Sequence, residues 1–243
     1  MAFCLIYSGI QAQDSSMSKG KCMYNCTKFR YFGYMGLGYQ YTQFNSMNIQ
    51  TQDLNGHSIS LNGGGFAFSG NRYLICHRML FGQELSGSGA MPTNNSTSSS
   101  MVSQASAFFN FGYLVVDKND MMLYPYVGIG GVFNELMIKN KSNTDWVNAE
   151  YAIKAGQKGN FSSAGGGINV GIGFKKILTG SSGCNSSHSM QIGFDIGARF
   201  MPYKSDWYYN GSDQAIGTFG SANNMSYYAR VTIGAGSVKS KAK

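Results

Sequence analysis

From Met190 to Phe200 the chain alternates without a break: Met190, Ile192, Phe194, Ile196, Ala198 and Phe200 on one parity, Gln191, Gly193, Asp195, Gly197 and Arg199 on the other. Successive side chains of an extended strand point to opposite faces, so this stretch has one oily face and one polar face. A helix would need its apolar positions three and four residues apart, and here they are two apart. The pattern returns at Tyr227, Ala229, Val231, Ile233 and Ala235, set against Tyr228, Arg230, Thr232, Gly234 and Gly236. A chain made of such segments is all-β, and its two faces need different surroundings.

The alternation recurs in eight segments, predicted at 29–44, 58–69, 72–85, 102–116, 121–138, 161–177, 190–200 and 227–236. A second rhythm lies between them. Gly70-Asn71 reads as a two-residue hairpin turn, Asp117 to Asp120 as a tight turn, and Thr179 to Ser187 as a modest polar one. The other four gaps, 45–57, 86–101, 139–160 and 204–225, are long and polar, and Asn94 to Ser100 is low in complexity. Short turns at one end and long loops at the other are the asymmetry of outer-membrane barrels.

Composition decides which face meets which medium. Charged residues make up only 12 % of the chain and aromatics 14 %, with 33 Gly and 3 Pro among 243 residues. That much apolar surface excludes intrinsic disorder. Yet mean hydropathy is only −0.18, and no stretch approaches the ~18 apolar residues of a transmembrane helix. A membrane barrel reconciles the two, because lipid-facing and lumen-facing residues alternate and their hydropathies cancel. In hydrocarbon an open sheet edge would leave a row of unpaired N–H and C=O groups, so the sheet must close. The predicted fold is an eight-stranded antiparallel up-and-down transmembrane β-barrel. Eight strands leave an interior that side chains about fill.

If the apolar parity faces lipid, the other places Arg30, Arg72, Arg78, Glu84, Lys175, Asp195, Arg199 and Arg230 in the lumen or at its rims. Charges there must be paired or hydrated. The reading is a salt-bridge network that fills and fixes the barrel, with a narrow anion-preferring pathway as the alternative. The runs Gly63 to Gly65, Gly128 to Gly131 and Gly165 to Gly167 lie inside strands, and no Gly-Lys-Ser/Thr follows them, so they are not phosphate loops. They are read as room for large inward side chains and for tight curvature. Tyr124, Tyr126, Tyr203, Trp207 and Tyr208 are expected as interface aromatics. Trp146 is expected within loop packing.

No cofactor or metal motif is present, and no catalytic residues are expected. His188-Ser189 is the one tempting pair, but adjacent strand residues point apart and a nucleophile needs its base within hydrogen-bond reach. The net charge of +8 is read as scattered lysines, with no nucleic-acid partner, since no segment concentrates them. Residues 1–13 read as the remnant of a signal peptide and 14–28 as a periplasmic N-terminal segment, followed by the barrel at 29–238 and a basic tail at 239–243. Export permits disulfides: Cys22, Cys26, Cys76 and Cys184 allow three full pairings among which the sequence does not choose, and a local Cys22–Cys26 bridge is the working expectation.

With eight strands, turn asymmetry and a glycine–aromatic texture on the page, the chain resembles the small outer-membrane barrels of the OmpA/OmpX/OmpW type over residues 29 to 238. The resemblance implies the outer membrane of a Gram-negative bacterium with both termini periplasmic. It also implies outer-membrane lipid, lipopolysaccharide and the assembly machinery as partners. The sequence departs from the family where a terminal aromatic is usual: it carries Val231-Thr232-Ile233 and then runs on to Lys243. The implied function is a non-enzymatic envelope-structural or surface-interaction role, with an extracellular ligand bound through the loops. The alternatives are a narrow conduit for small solutes, a lipid A-modifying barrel enzyme and a soluble lipocalin-like carrier.

Overall fold

The computed structural model describes residues 29–44, 63–94, 96–118, 120–147, 151–179, 187–202, 206–209, 215–216 and 224–238. Eight long strands dominate them: β1 Phe29–Phe44, β2 Gly63–Cys76, β3 Met79–Ala90, β4 Ser98–Tyr113, β5 Met121–Asn140, β6 Lys158–Thr179, β7 Ser187–Phe200 and β8 Asn224–Val238. Each pairs antiparallel with its neighbours in sequence, and β8 pairs back onto β1, closing the sheet.

Cross-strand partners can be followed once around the wall, from Lys175 on β6 through Gly193, Thr232, Gly36, Ser69, Ser86, Ser106 and Val132. The path returns to β6 at Gly165, ten residues from its start at position 175. That stagger, with ordinary strand spacings, tilts the strands by roughly 40° and gives a backbone radius of about 8 Å.

Alternation survives closure with the oily face outward. On β7, Ile192, Phe194 and Ile196 are 44 %, 43 % and 44 % exposed, while Asp195 and Arg199 are 1 % and 3 % exposed. The same inversion holds on β8, where Val231 and Ile233 face out and Arg230 and Thr232 are buried. A soluble carrier would have the opposite sidedness, with apolar residues lining its interior. Tyr31 and Tyr113 stand exposed toward the short-turn end, and Tyr39, Tyr41 and Tyr227 toward the long-loop end. These outward tyrosines occupy the places that interfacial girdles take.

Two connections differ from the sequence expectation. β2 runs straight through Gly70-Asn71, and the hairpin turns at His77-Arg78. His77 has φ 56°, the positive sign that primed two-residue turns require. Gly70 instead faces outward, and Asn71 faces the lumen, donating to Ser69 Oγ at 3.0 Å. At the other end, β3 continues to Ala90 and β4 begins at Ser98. The expected long loop at 86–101 is therefore seven residues, Met91–Thr97. Ser98 and Ser100 are buried strand residues, since a short hydroxyl suits a crowded lumen as well as a loop. The connection 45–62 lies outside the described residues.

Candidate functional site

The barrel interior is layered along its axis. At the short-turn end, inward Phe32, Ile75, Leu80, Leu114, Met122 and Ile177 pack with Tyr34, Tyr73, Tyr124 and Tyr126 into an apolar plug. Tyr34 stacks on Tyr73 at 5.4 Å between ring centroids, and Tyr34 and Tyr124 share a hydroxyl hydrogen bond of 3.1 Å. Below the plug, at the rim, Arg30 is ion-paired with Asp117.

These large inward groups fit because small residues stand opposite them. Tyr34 pairs across the wall with Gly234, Tyr73 with Gly82, Tyr124 with Gly173, Tyr126 with Gly171 and Tyr228 with Gly197. A methyl on Gly173 would lie 2.4 Å from the Tyr124 ring, and one on Gly82 would lie 2.3 Å from Tyr73. The glycine texture of the sequence is thus the complement of its inward aromatics.

Above the plug sits the charge network. Lys175 donates to Asp195 at 2.8 Å and to Thr232 Oγ1 at 2.6 Å, and its Nζ lies 4.0 Å from the Tyr34 ring centroid. Glu84 is the hub of a second set. Its Oε1 accepts from Arg199 Nη2 at 2.5 Å and from Arg230 Nη1 at 2.8 Å. Its Oε2 accepts from Asn110 at 3.3 Å and Asn169 at 3.5 Å. Both guanidinium groups lie over the Tyr228 ring, at 4.7 and 4.2 Å. All five charged groups, two acids and three bases, are buried. Arg230 Nε and Nη2 and Arg199 Nε donate to no acceptor among the described residues.

Higher still, amides and hydroxyls replace charges. Gln40 donates to Gln104 at 2.7 Å and Gln104 to Asn134 at 2.9 Å, while Thr42 and Ser226 share a bond of 3.0 Å. The mouth is then covered. Inward Val102, Leu136, Ile138 and Phe161 cluster with Trp146, Ile153, Trp207 and Ile216 from the connections. Two small ladders hold this lid, Trp146–Val147 against Ala152–Ile153, and Trp207–Tyr209 against β6 and Ala215–Ile216.

Of the expected lumen residues, Glu84, Arg199 and Arg230 form one cluster, Lys175 and Asp195 form a second ion pair, and Arg30 is at the rim. Arg72 and Arg78 are not in the lumen. With the hairpin turning at His77-Arg78, Arg78 is an exposed turn residue and Arg72 takes outward parity beside inward Tyr73. The expected interface aromatics lie elsewhere as well. Tyr124 and Tyr126 are buried in the plug at 1 % and 5 % exposure, and Trp207 is buried in the lid. Tyr208 is partly exposed on the strand paired with Ser162. Trp146 is in the lid, within loop packing.

Tyr203, Cys22 and Cys26 lie outside the described residues, while Cys76 is disulfide-bonded. Ser189 is buried, its Oγ bonded to the Gly236 carbonyl at 3.4 Å. The residues missed as a group, Gln40, Asn110, Asn134, Asn169 and Tyr228, all carry inward parity. A search for polar residues opposite the oily stripe in every strand would have found them.

A closed eight-stranded wall with an apolar exterior and an ionic, hydrogen-bonded filling defines a transmembrane β-barrel with the fold of the small outer-membrane barrels. No family model and no curated protein matches the chain. Among solved structures, the attachment invasion locus protein Ail of Yersinia pestis is similar with a TM-score of 0.48 at 8 % identity, over 85 % of this chain and 97 % of that one. The outer membrane protease OmpT from Escherichia coli gives 0.40 at 7 % identity, over 90 % and 99 %. Neisserial surface protein A gives 0.38 at 11 %, over 84 % and 95 %. The likeness to all three is one of fold.

Proposed function

We propose that this protein is a non-enzymatic barrel of the bacterial outer membrane, with its short turns in the periplasm and its long connections at the cell surface, and that it serves envelope structure or surface contact. One observation carries the reading: the described interior is obstructed at three successive levels. An apolar plug closes one end, an apolar lid covers the other, and between them Arg199 and Arg230 are both ion-paired to Glu84. A solute would have to break buried ion pairs to pass, so conduction loses to scaffolding. The scaffold presents three long connections and one of seven residues, in place of four long loops. Lipids of both leaflets and the assembly machinery are the partners this placement implies.

The test is planar-bilayer recording of the purified, refolded chain. The expected trace has no discrete openings at any applied voltage. Stepwise, reproducible openings that persist after further purification would reject the scaffold and establish a conduit.

A further inference from the structure

Arg72 is the one arginine that β2 and β3 place on the outer wall. On that face its cross-strand neighbours are Gly33 on β1 and Gln83 on β3. The next row toward the short turns is Tyr31, Leu74 and Phe81, and the next row the other way is Met35, Gly70 and Leu85. A guanidinium thus stands within the apolar belt. Among the described residues it has no ion pair.

On the β1 side the wall beside it is bare: a methyl on Gly70 would meet nothing within 4 Å, and one on Gly33 would meet only the Asn71 carbonyl oxygen at 3.8 Å. On the β3 side lies a hollow of about 330 Å³, lined by Tyr31, Arg72, Leu74, Phe81, Gln83 and Phe109, among others. Phe81 and Phe111, both in its lining, meet edge to face at 5.9 Å. The charge is also near a surface. Arg72 is four residues from Cys76 at the end of β2, which at this tilt is about 10 Å along the axis. An arginine at that depth can extend toward the headgroups while its stem stays in the apolar layer. A cation in a lipid-facing wall is tolerated near the interface and costly at the midplane.

We propose that Arg72 and Gln83 form a site for the phosphodiester of a phospholipid in the leaflet on the short-turn side, with an acyl chain lying along Leu74, Phe81 and Phe109. The guanidinium supplies parallel donors matched to two phosphate oxygens, and the Gln83 amide supplies another. With no acid on this stretch of wall, anionic phospholipids are favoured over zwitterionic ones. The site rests on the membrane reading given above, and places its ligand in the periplasmic leaflet.

Native mass spectrometry of the full chain, folded in a sugar-headed detergent and supplied with phosphatidylglycerol, tests it. Folding of each sample is checked by heat-shifted gel migration. The expected result is one retained lipid on the wild type and about tenfold less on R72L and R72Q, with R72K intermediate. Leu belongs on a lipid-facing wall, so R72L keeps the test alive if R72Q folds poorly. A large excess of inorganic phosphate should leave the lipid in place, because the acyl contacts are part of the site. Equal retention by R72L and wild type, or displacement by phosphate alone, overturns the lipid site and leaves the barrel standing. Absence of any heat shift in the wild type overturns the barrel reading, and the site with it.

Discussion

Glu84 accepts hydrogen bonds from four side chains on four other strands: Asn110 on β4, Asn169 on β6, Arg199 on β7 and Arg230 on β8. Such a carboxylate ties the curved wall together across its diameter as well as along its ladders. The energetic stake is asymmetric. Replacing a whole buried ion cluster by well-packed apolar groups is often harmless, but removing one partner strands the others. Glu84→Gln keeps the shape and removes the charge that both guanidiniums face. It is expected to destabilise the barrel by about 3–5 kcal/mol, measured as the shift in urea midpoint for reversible unfolding in lipid vesicles. Arg30→Gln is the comparison. Its pair with Asp117 is at the rim, with side chains 20 % and 26 % exposed, and such pairs contribute about 0–1 kcal/mol. Equal midpoint shifts for the two variants would show that Glu84 does not act as the hub.

At the scale of strands, stability rests on matching large inward residues to glycines one strand away. Gly173→Ala places a methyl 2.4 Å from the Tyr124 ring, an overpacking that costs about 1–3 kcal/mol. Gly131→Ala projects outward, its nearest contact 4.0 Å away, and should leave the urea midpoint near the wild-type value. The reverse ranking would mean that glycine serves these strands by flexibility and not by space. Much of this was legible in the sequence. Strict alternation on β7 and β8 located those strands and assigned each side chain to a face, because one wrong register would flip every residue. The β2–β3 hairpin was not legible. Gly70-Asn71 has the composition of a turn, whereas His77-Arg78 does not, and only tertiary pairing of β2 with β1 over Gly63–Cys76 reveals which pair turns. That single shift carried Arg72 from the lumen to the outer wall. Tyr124 and Tyr126 were misplaced for a different reason. Tyrosine suits an interface and a crowded polar lumen equally well, and parity, which puts both inward beside Met122, outranks the preference for girdles.

Closure at a stagger of ten residues fixes a narrow barrel with a backbone radius of about 8 Å, and its side chains divide the molecule into an oily outer belt, a polar filling and two apolar ends. This division makes a prediction about light emission as well as stability. The chain has only two tryptophans, Trp146 and Trp207, both buried in the lid above the belt. In vesicles whose acyl chains carry bromine, the native protein should therefore lose little of its fluorescence. Phe194→Trp, on the outward face of β7 and 43 % exposed there, adds a tryptophan in the belt, and that added emission should be strongly quenched. Ile196→Trp, one row nearer the lid, should be quenched as well, with the depth of maximal effect displaced along the strand. Aqueous iodide should leave both added signals intact, because the belt excludes water-borne anions. Quenching of the added tryptophans by iodide but not by brominated chains would place the oily face of β7 in water. A barrel so arranged would be a soluble vessel, and neither the sealed ionic core nor the lipid site at Arg72 would have the surroundings that give it meaning.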